Sequence, residues 1–155
     1  MKKPNLLLPL WLGGGALLLC STTMSATPDP KRVVGIYDAV GMHRGTLEVS
    51  LAGSRMRVEL RGGASTSASA PIAGDCEAVA EGMFEAGVLK AHLIPFEGEV
   101  MSLDSSELAR MRTDVIVRFS GGVADVEGSF SHCGLGSALH GKYKKTSAKK
   151  PAERP

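Results

Sequence analysis

The sequence predicts an all-β fold: a small antiparallel barrel or sandwich of about seven or eight strands with one short helix, stapled by one disulfide. Three observations carry this. Polar and apolar side chains alternate in short runs separated by turn residues, the pattern of half-buried strands. The chain of 155 residues holds 19 Gly but only 5% aromatic residues, a balance suited to tight turns rather than long helices. Beyond the N-terminal segment only Cys76 and Cys133 remain, and an oxidising compartment would pair them. The length suits one domain, and 43% hydrophobic with 22% charged residues is too apolar a composition for disorder.

Residues 1–26 read as a secretory signal peptide, with Lys2 and Lys3 ahead of an apolar run through Leu6–Leu8, Leu10–Leu12 and Ala16–Leu19. Export to the periplasm or beyond follows. Cys20, just after that run, offers a lipidation site that would make the chain an outer-membrane lipoprotein, although Leu19 stands where a lipidation motif has a small residue. Residues 27–32 form a solvated lead-in, 33–145 a single β domain, and 146–155 a flexible basic tail.

Within the domain, the alternation from Thr46 to Leu51 and again from Arg55 to Arg61, across Ala52-Gly53-Ser54, predicts a hairpin. Leu47, Val49, Leu51, Met56, Val58 and Leu60 would face its core. Gly62 to Gly74, rich in Gly, Ser and Ala, is a surface loop. Cys76, Ala78 and Ala80 alternate with Glu77 and Glu81, an order that only Val79 breaks. Leu89, Ala91 and Leu93 make the next strand, which Pro95 stops. Asp104 to Met111 suits one or two helical turns, capped by Asp104 or Ser105. A second hairpin sets Val115, Val117 and Phe119 against Ala124 and Val126 across Gly121-Gly122. Leu139, Gly141 and Tyr143 face inward on a last strand, with His140, Lys142 and Lys144 outside. Gly35-Ile36-Tyr37 and Gly141-Lys142-Tyr143 stand near the two ends of the domain, and pairing of first and last strands would close the sheet and remove its edges.

Motifs that carry enzyme chemistry are missing. Gly63-Ala64-Ser65-Thr66-Ser67 ends in Ser where a nucleophile elbow needs its second glycine. Gly134-Leu135-Gly136 follows no βαβ pattern. Glu97 and Glu99 flank Gly98, but nothing positions a second acid–base site opposite them. His132, Cys133 and His140 lack the spacing of a metal site. No enzyme activity, cofactor or metal is expected. A net charge of +2 argues against a nucleic-acid binder.

The charge is unevenly placed. From Asp75 to Glu107 the chain carries Asp75, Glu77, Glu81, Glu85, Glu97, Glu99, Asp104 and Glu107 against Lys90 alone. Such a surface attracts a cationic protein, with Glu97, Glu99, Asp104 and Glu107 as the candidate contacts. The C-terminal Lys144, Lys145, Lys149 and Lys150 could lie on anionic lipid or glycan.

Val115 to Tyr143 (VIVRFSGGVADVEGSFSHCGLGSALHGKY), taken with Gly35-Ile36-Tyr37 and the hairpin after it, resembles small exported bacterial β-domains, among them periplasmic and surface-lipoprotein inhibitors of lysozyme. Those inhibitors' loop bearing serine and tyrosine has no counterpart here, so the likeness transfers no inhibitory residue. It implies an exported, disulfide-stapled, non-enzymatic binding protein, and inhibition of a cationic cell-wall hydrolase such as lysozyme as its work. An envelope structural or assembly factor, and a small β-barrel ligand carrier, are the alternative readings.

Overall fold

Strands of nine or ten residues with inward side chains at every second position need a closed surface around them, and the chain supplies one. The computed structural model describes residues 29–41, 44–63, 75–134 and 139–147. The signal segment with Cys20, most of the 62–74 loop, and the end of the tail with Lys149 and Lys150 lie outside the described residues.

In chain order the elements are α1 (Pro30–Val33), β1 (Gly35–Ala39), β2 (Arg44–Ala52), β3 (Arg55–Gly63), β4 (Cys76–Glu85), β5 (Val88–Leu93), β6 (Phe96–Glu97), β7 (Ser102–Leu103), α2 (Ser105–Leu108), β8 (Asp114–Ser120), β9 (Val123–Gly128) and β10 (Gly141–Ser147). Eight strands close a barrel in the order β1-β10-β9-β8-β5-β4-β3-β2, with β6 and β7 forming a separate two-stranded ladder. All barrel neighbours are antiparallel. The expected pairing of first and last strands is present: Ala39 lies opposite Tyr143, and Tyr37 opposite Lys145.

Alternation puts Leu47, Val49, Met56, Val58, Leu60, Leu89, Val115, Val117 and Val126 inside, all nearly fully buried. Phe119 meets Tyr37 and Phe84 edge-on at 6.0 and 5.8 Å. Ala78 and Ala80 of β4 are fully buried in the same core. At Gly82 there is no space even for a methyl group, because a Cβ would overlap the Lys90 carbonyl and the Ala91 Cα of β5.

Four expectations need correction. Leu51 shares the inward face but is 50% exposed, since it is the last inward side chain before the turn and lies at the barrel mouth. The lead-in is partly helical: Pro30 starts α1, Asp29 caps it by accepting a hydrogen bond from Lys31 N at 2.9 Å, and Val33 is buried. The described residues therefore hold two short helices, α1 as well as the expected α2. Finally β10 begins at Gly141 and runs to Ser147, so Thr146 and Ser147 belong to the barrel, while Leu139 is buried ahead of the strand.

The two ends of the barrel differ. One carries the short turns after β2, β4 and β8; the other carries the long connections, including the β5–β8 excursion that holds β6, β7 and α2. At that second end the Cys76–Cys133 disulfide joins the start of β4 to the β9–β10 connection, with Cα atoms 5.6 Å apart. Closing a loop of 57 residues is worth about 4 kcal/mol by the chain-entropy account.

Candidate functional site

On the outer face of β3 and β4 the sequence places alternating charges, and antiparallel register sets them opposite one another. Arg57 faces Glu81, and Arg61 faces Glu77. The Arg57 guanidinium reaches Glu59 at 3.0 Å and Glu81 at 3.2 Å. Arg61 lies 3.3 Å from Glu77 Oε1 through Nε and 3.4 Å from Glu99 Oε2 through a terminal nitrogen. Opposite charges across a strand pair stabilise the sheet modestly where they stay exposed.

Glu77 is different, because it points outward from the barrel and is still only 4% exposed. The segment from β6 to β7 folds back over it as a flap. Ile94 N donates to Val79 O at 2.9 Å, pinning the start of the flap to β4, and Gly98 N donates to Met101 O at 2.9 Å, making its tight turn. Gly98 is required there: any side chain would overlap Glu77 Oε2 and the Met101 carbonyl. The same cover buries Val79, the residue that broke the polar–apolar alternation. Among the described residues Glu77 Oε1 accepts no hydrogen bond, so Arg61 balances its charge by proximity without aiming an N–H at it. Beside the carboxylate lies a pocket of about 150 Å³, lined by Arg57, Glu59, Arg61, Glu77, Phe96 and Glu97.

The backbone of Glu77 is held as firmly. Its carbonyl accepts a hydrogen bond from His132 Nε2 at 3.0 Å, and its N–H donates to Met101 Sδ at 3.4 Å. His132, Cys76 and Cys133 come together here, whereas His140, grouped with them by sequence proximity, does not join their cluster.

The four carboxylates singled out from sequence divide into two kinds. Glu97 is exposed at the lip of the pocket, and the 81% exposed Glu99 side chain reaches back to Arg61. Asp104 and Glu107 form a capping box at the start of α2. Asp104 Oδ1 accepts from Ser106 N and Oγ, both at 2.7 Å, and from Glu107 N at 2.9 Å, while Asp104 N donates to Glu107 Oε2 at 3.0 Å. The Ser106 hydroxyl, followed by the backbone N–H groups of Glu107 and Ser106, holds the Asp104 carboxyl below its usual range. Their charges remain on the surface, but the helix start already occupies them.

The basic candidates are similarly divided. Lys144 is exposed and lies opposite Asp38. Lys145 Nζ donates to the Arg32 carbonyl at 2.6 Å and sits 5.7 Å from the Tyr37 ring centroid, so it ties the end of α1 to the barrel. His92 is exposed with Nδ1 3.2 Å from Asp114.

Arg57, Arg61 and the buried state of Glu77 were missed by counting charges along residues 75–107. The signal was available in the outward alternation Arg57-Glu59-Arg61 on the preceding strand, once that strand is paired with β4. The chain matches no protein-family model, no curated protein and no solved structure.

Proposed function

We propose that this chain is an exported, non-enzymatic binding protein of the bacterial envelope that takes a cationic protein partner, a cell-wall hydrolase of the lysozyme kind. The observation that supports this reading is the β5–β8 excursion, which carries Glu97 and Glu99 on the flap and Asp104 and Glu107 at the start of α2, with Arg61 engaging only Glu99 among them. The flap is fixed at one end of a closed barrel, beside the disulfide and over a buried carboxylate. A rigid negative surface raises the encounter rate with a basic partner and spends little ordering entropy on docking. Export and an oxidising compartment are part of the proposal, in keeping with a paired Cys76 and Cys133.

The two alternatives draw less support. Contact of the tail with anionic lipid or glycan would use Lys144, Lys145, Lys149 and Lys150; of the two that are described, Lys144 faces Asp38 and Lys145 is bonded within the domain. A ligand carrier needs room inside the barrel, where Tyr37, Leu47, Leu60, Leu89, Phe119 and Tyr143 pack instead.

The test is inhibition of a basic lysozyme by the mature chain and by a Glu97→Lys/Glu99→Lys double variant, at low and high salt. The parent should inhibit, less so at high salt, and the variant should inhibit at least roughly tenfold more weakly with a flatter salt dependence. Equal inhibition by both proteins would remove the electrostatic mechanism. No inhibition by the parent would remove this partner class.

A further inference from the structure

The disulfide lies within an unusual set of neighbours. Cys76 Sγ, Cys133 Sγ and a ring nitrogen of His132 all lie within 4.8 Å of one another. Met101 Sδ, carried on the flap, is 3.7 Å from Cys76 Sγ. A tetrahedral ion with metal–sulfur bonds of roughly 2.3 Å holds its donors roughly 3.5–4 Å apart, so small adjustments would suffice to gather these atoms round one centre.

Two further features orient the donors. His132 Nε2–H donates a hydrogen bond to the Glu77 carbonyl, which leaves the lone pair on Nδ1, and among the described residues the buried Nδ1 has no hydrogen-bond partner. A ring nitrogen fixed through its opposite N–H is the arrangement that metal-ligating histidines use. Met101 is held in place by the Glu77 N–H. One residue thus supports both the imidazole and the thioether through its backbone, while the flap shields the sulfur of Cys76 from solvent.

We propose that the Cys76–Cys133 staple masks a soft-metal site: once the disulfide is reduced, Cys76, Cys133, His132 and Met101 bind one copper(I) ion. A dithiol reductant breaks the S–S bond, delivering two electrons and two protons and leaving as its own disulfide. Copper(I) then displaces the two thiol protons. The thioether decides the metal, because thiolate and thioether donors together select copper(I), whereas zinc(II) sites are built from thiolate, imidazole and carboxylate.

The mature chain, reduced with dithiothreitol and desalted without oxygen, is titrated with the copper(I)–bicinchoninate complex. Native mass spectrometry counts the bound ions, and circular dichroism follows the barrel. One copper(I) per reduced chain and none on the oxidised chain are expected. His132→Ala and Met101→Leu should each weaken binding by at least roughly tenfold. Parental affinity in both variants would overturn the assignment, as would preferential uptake of zinc(II) by the reduced parent. A reduced chain that is unfolded and gains no strand signal from one equivalent of copper(I) would overturn it too, since donors gathered only by the fold couple metal binding to folding.

Discussion

Tyr37 and Tyr143 occupy matching positions on the two strands that close the barrel. Each donates its hydroxyl to the carbonyl four residues upstream, Tyr37 to Val33 at 2.7 Å and Tyr143 to Leu139 at 2.8 Å. Each follows, two residues on, a glycine in a backbone conformation that other residues rarely adopt: Gly35 at φ 143° and Gly141 at φ 126°. Because β1 and β10 are antiparallel, the two latches act at opposite ends of the barrel. Each holds a buried aliphatic side chain, Val33 or Leu139, over one mouth.

Removing either latch leaves a buried carbonyl without its donor. Tyr37→Phe and Tyr143→Phe should therefore each destabilise the fold by about 1–2 kcal/mol, read from urea unfolding followed by circular dichroism. The two sites share no hydrogen-bond partner, so the double variant should lose close to the sum. A double variant no weaker than either single would show that the two ends open together.

The same tyrosines give the barrel an alkaline limit. Burial pushes both phenols up from 10.0 to about 12, so the folded state favours the neutral form. Their contribution is complete below pH 10, where the unfolded chain also keeps its phenols protonated, and it is lost as pH rises from 10 towards 12. Urea midpoints measured between pH 9 and 11.5 (the series brackets the lower part of that window) should fall more steeply for the parent than for the double Phe variant. Parallel profiles would place the alkaline transition outside these two phenols.

The barrel was legible because period-two alternation survives wherever a strand has one face inside and the other in water. Val49, Val58, Val117 and Val126 all obey it. Closure was legible from the paired Gly-x-Tyr segments, and the staple from cysteine arithmetic. The site was less so. Alternation along β4 fails at Glu77 and Val79 because the flap arrives from far along the chain to cover an outward face, and no local pattern records that. Charge counted along one segment is blind for the same reason to Arg57 and Arg61, which lie in a neighbouring strand and are brought to the carboxylates by register. Asp104 and Glu107 stood out in the sequence as part of an acidic run, and the capping box they form appears only in the geometry of α2.

Two glycines separate the barrel from its flap. Gly82→Ala forces a methyl group into the β5 backbone and should abolish the folded barrel, with loss of strand signal by circular dichroism. Gly98→Ala overlaps Glu77 Oε2 and the Met101 carbonyl, both at the flap. It should leave the barrel intact, while limited proteolysis gains a cut between residues 94 and 104. If Gly98→Ala unfolded the whole domain, the flap would be part of the cooperative core rather than an appendage.

The Arg61–Glu77 pair should respond asymmetrically to loss of either partner. Glu77 is buried, while the Arg61 side chain is 49% exposed and can turn to water. Glu77→Gln removes a buried charge and leaves a solvated guanidinium, so its cost should stay below about 1 kcal/mol. Arg61→Ala strips the only cation within ion-pair distance among the described residues, leaving the carboxylate covered by the flap with its Oε1 unpartnered among those residues. That should cost about 1–3 kcal/mol, less than for a fully buried pair because Arg61 is half in solvent. The double variant Arg61→Ala/Glu77→Gln should recover most of the loss, since no uncompensated charge remains. Urea unfolding of the four proteins closes the cycle, and a double variant as unstable as Arg61→Ala alone would mean that Arg61 acts through Glu99 and the flap instead.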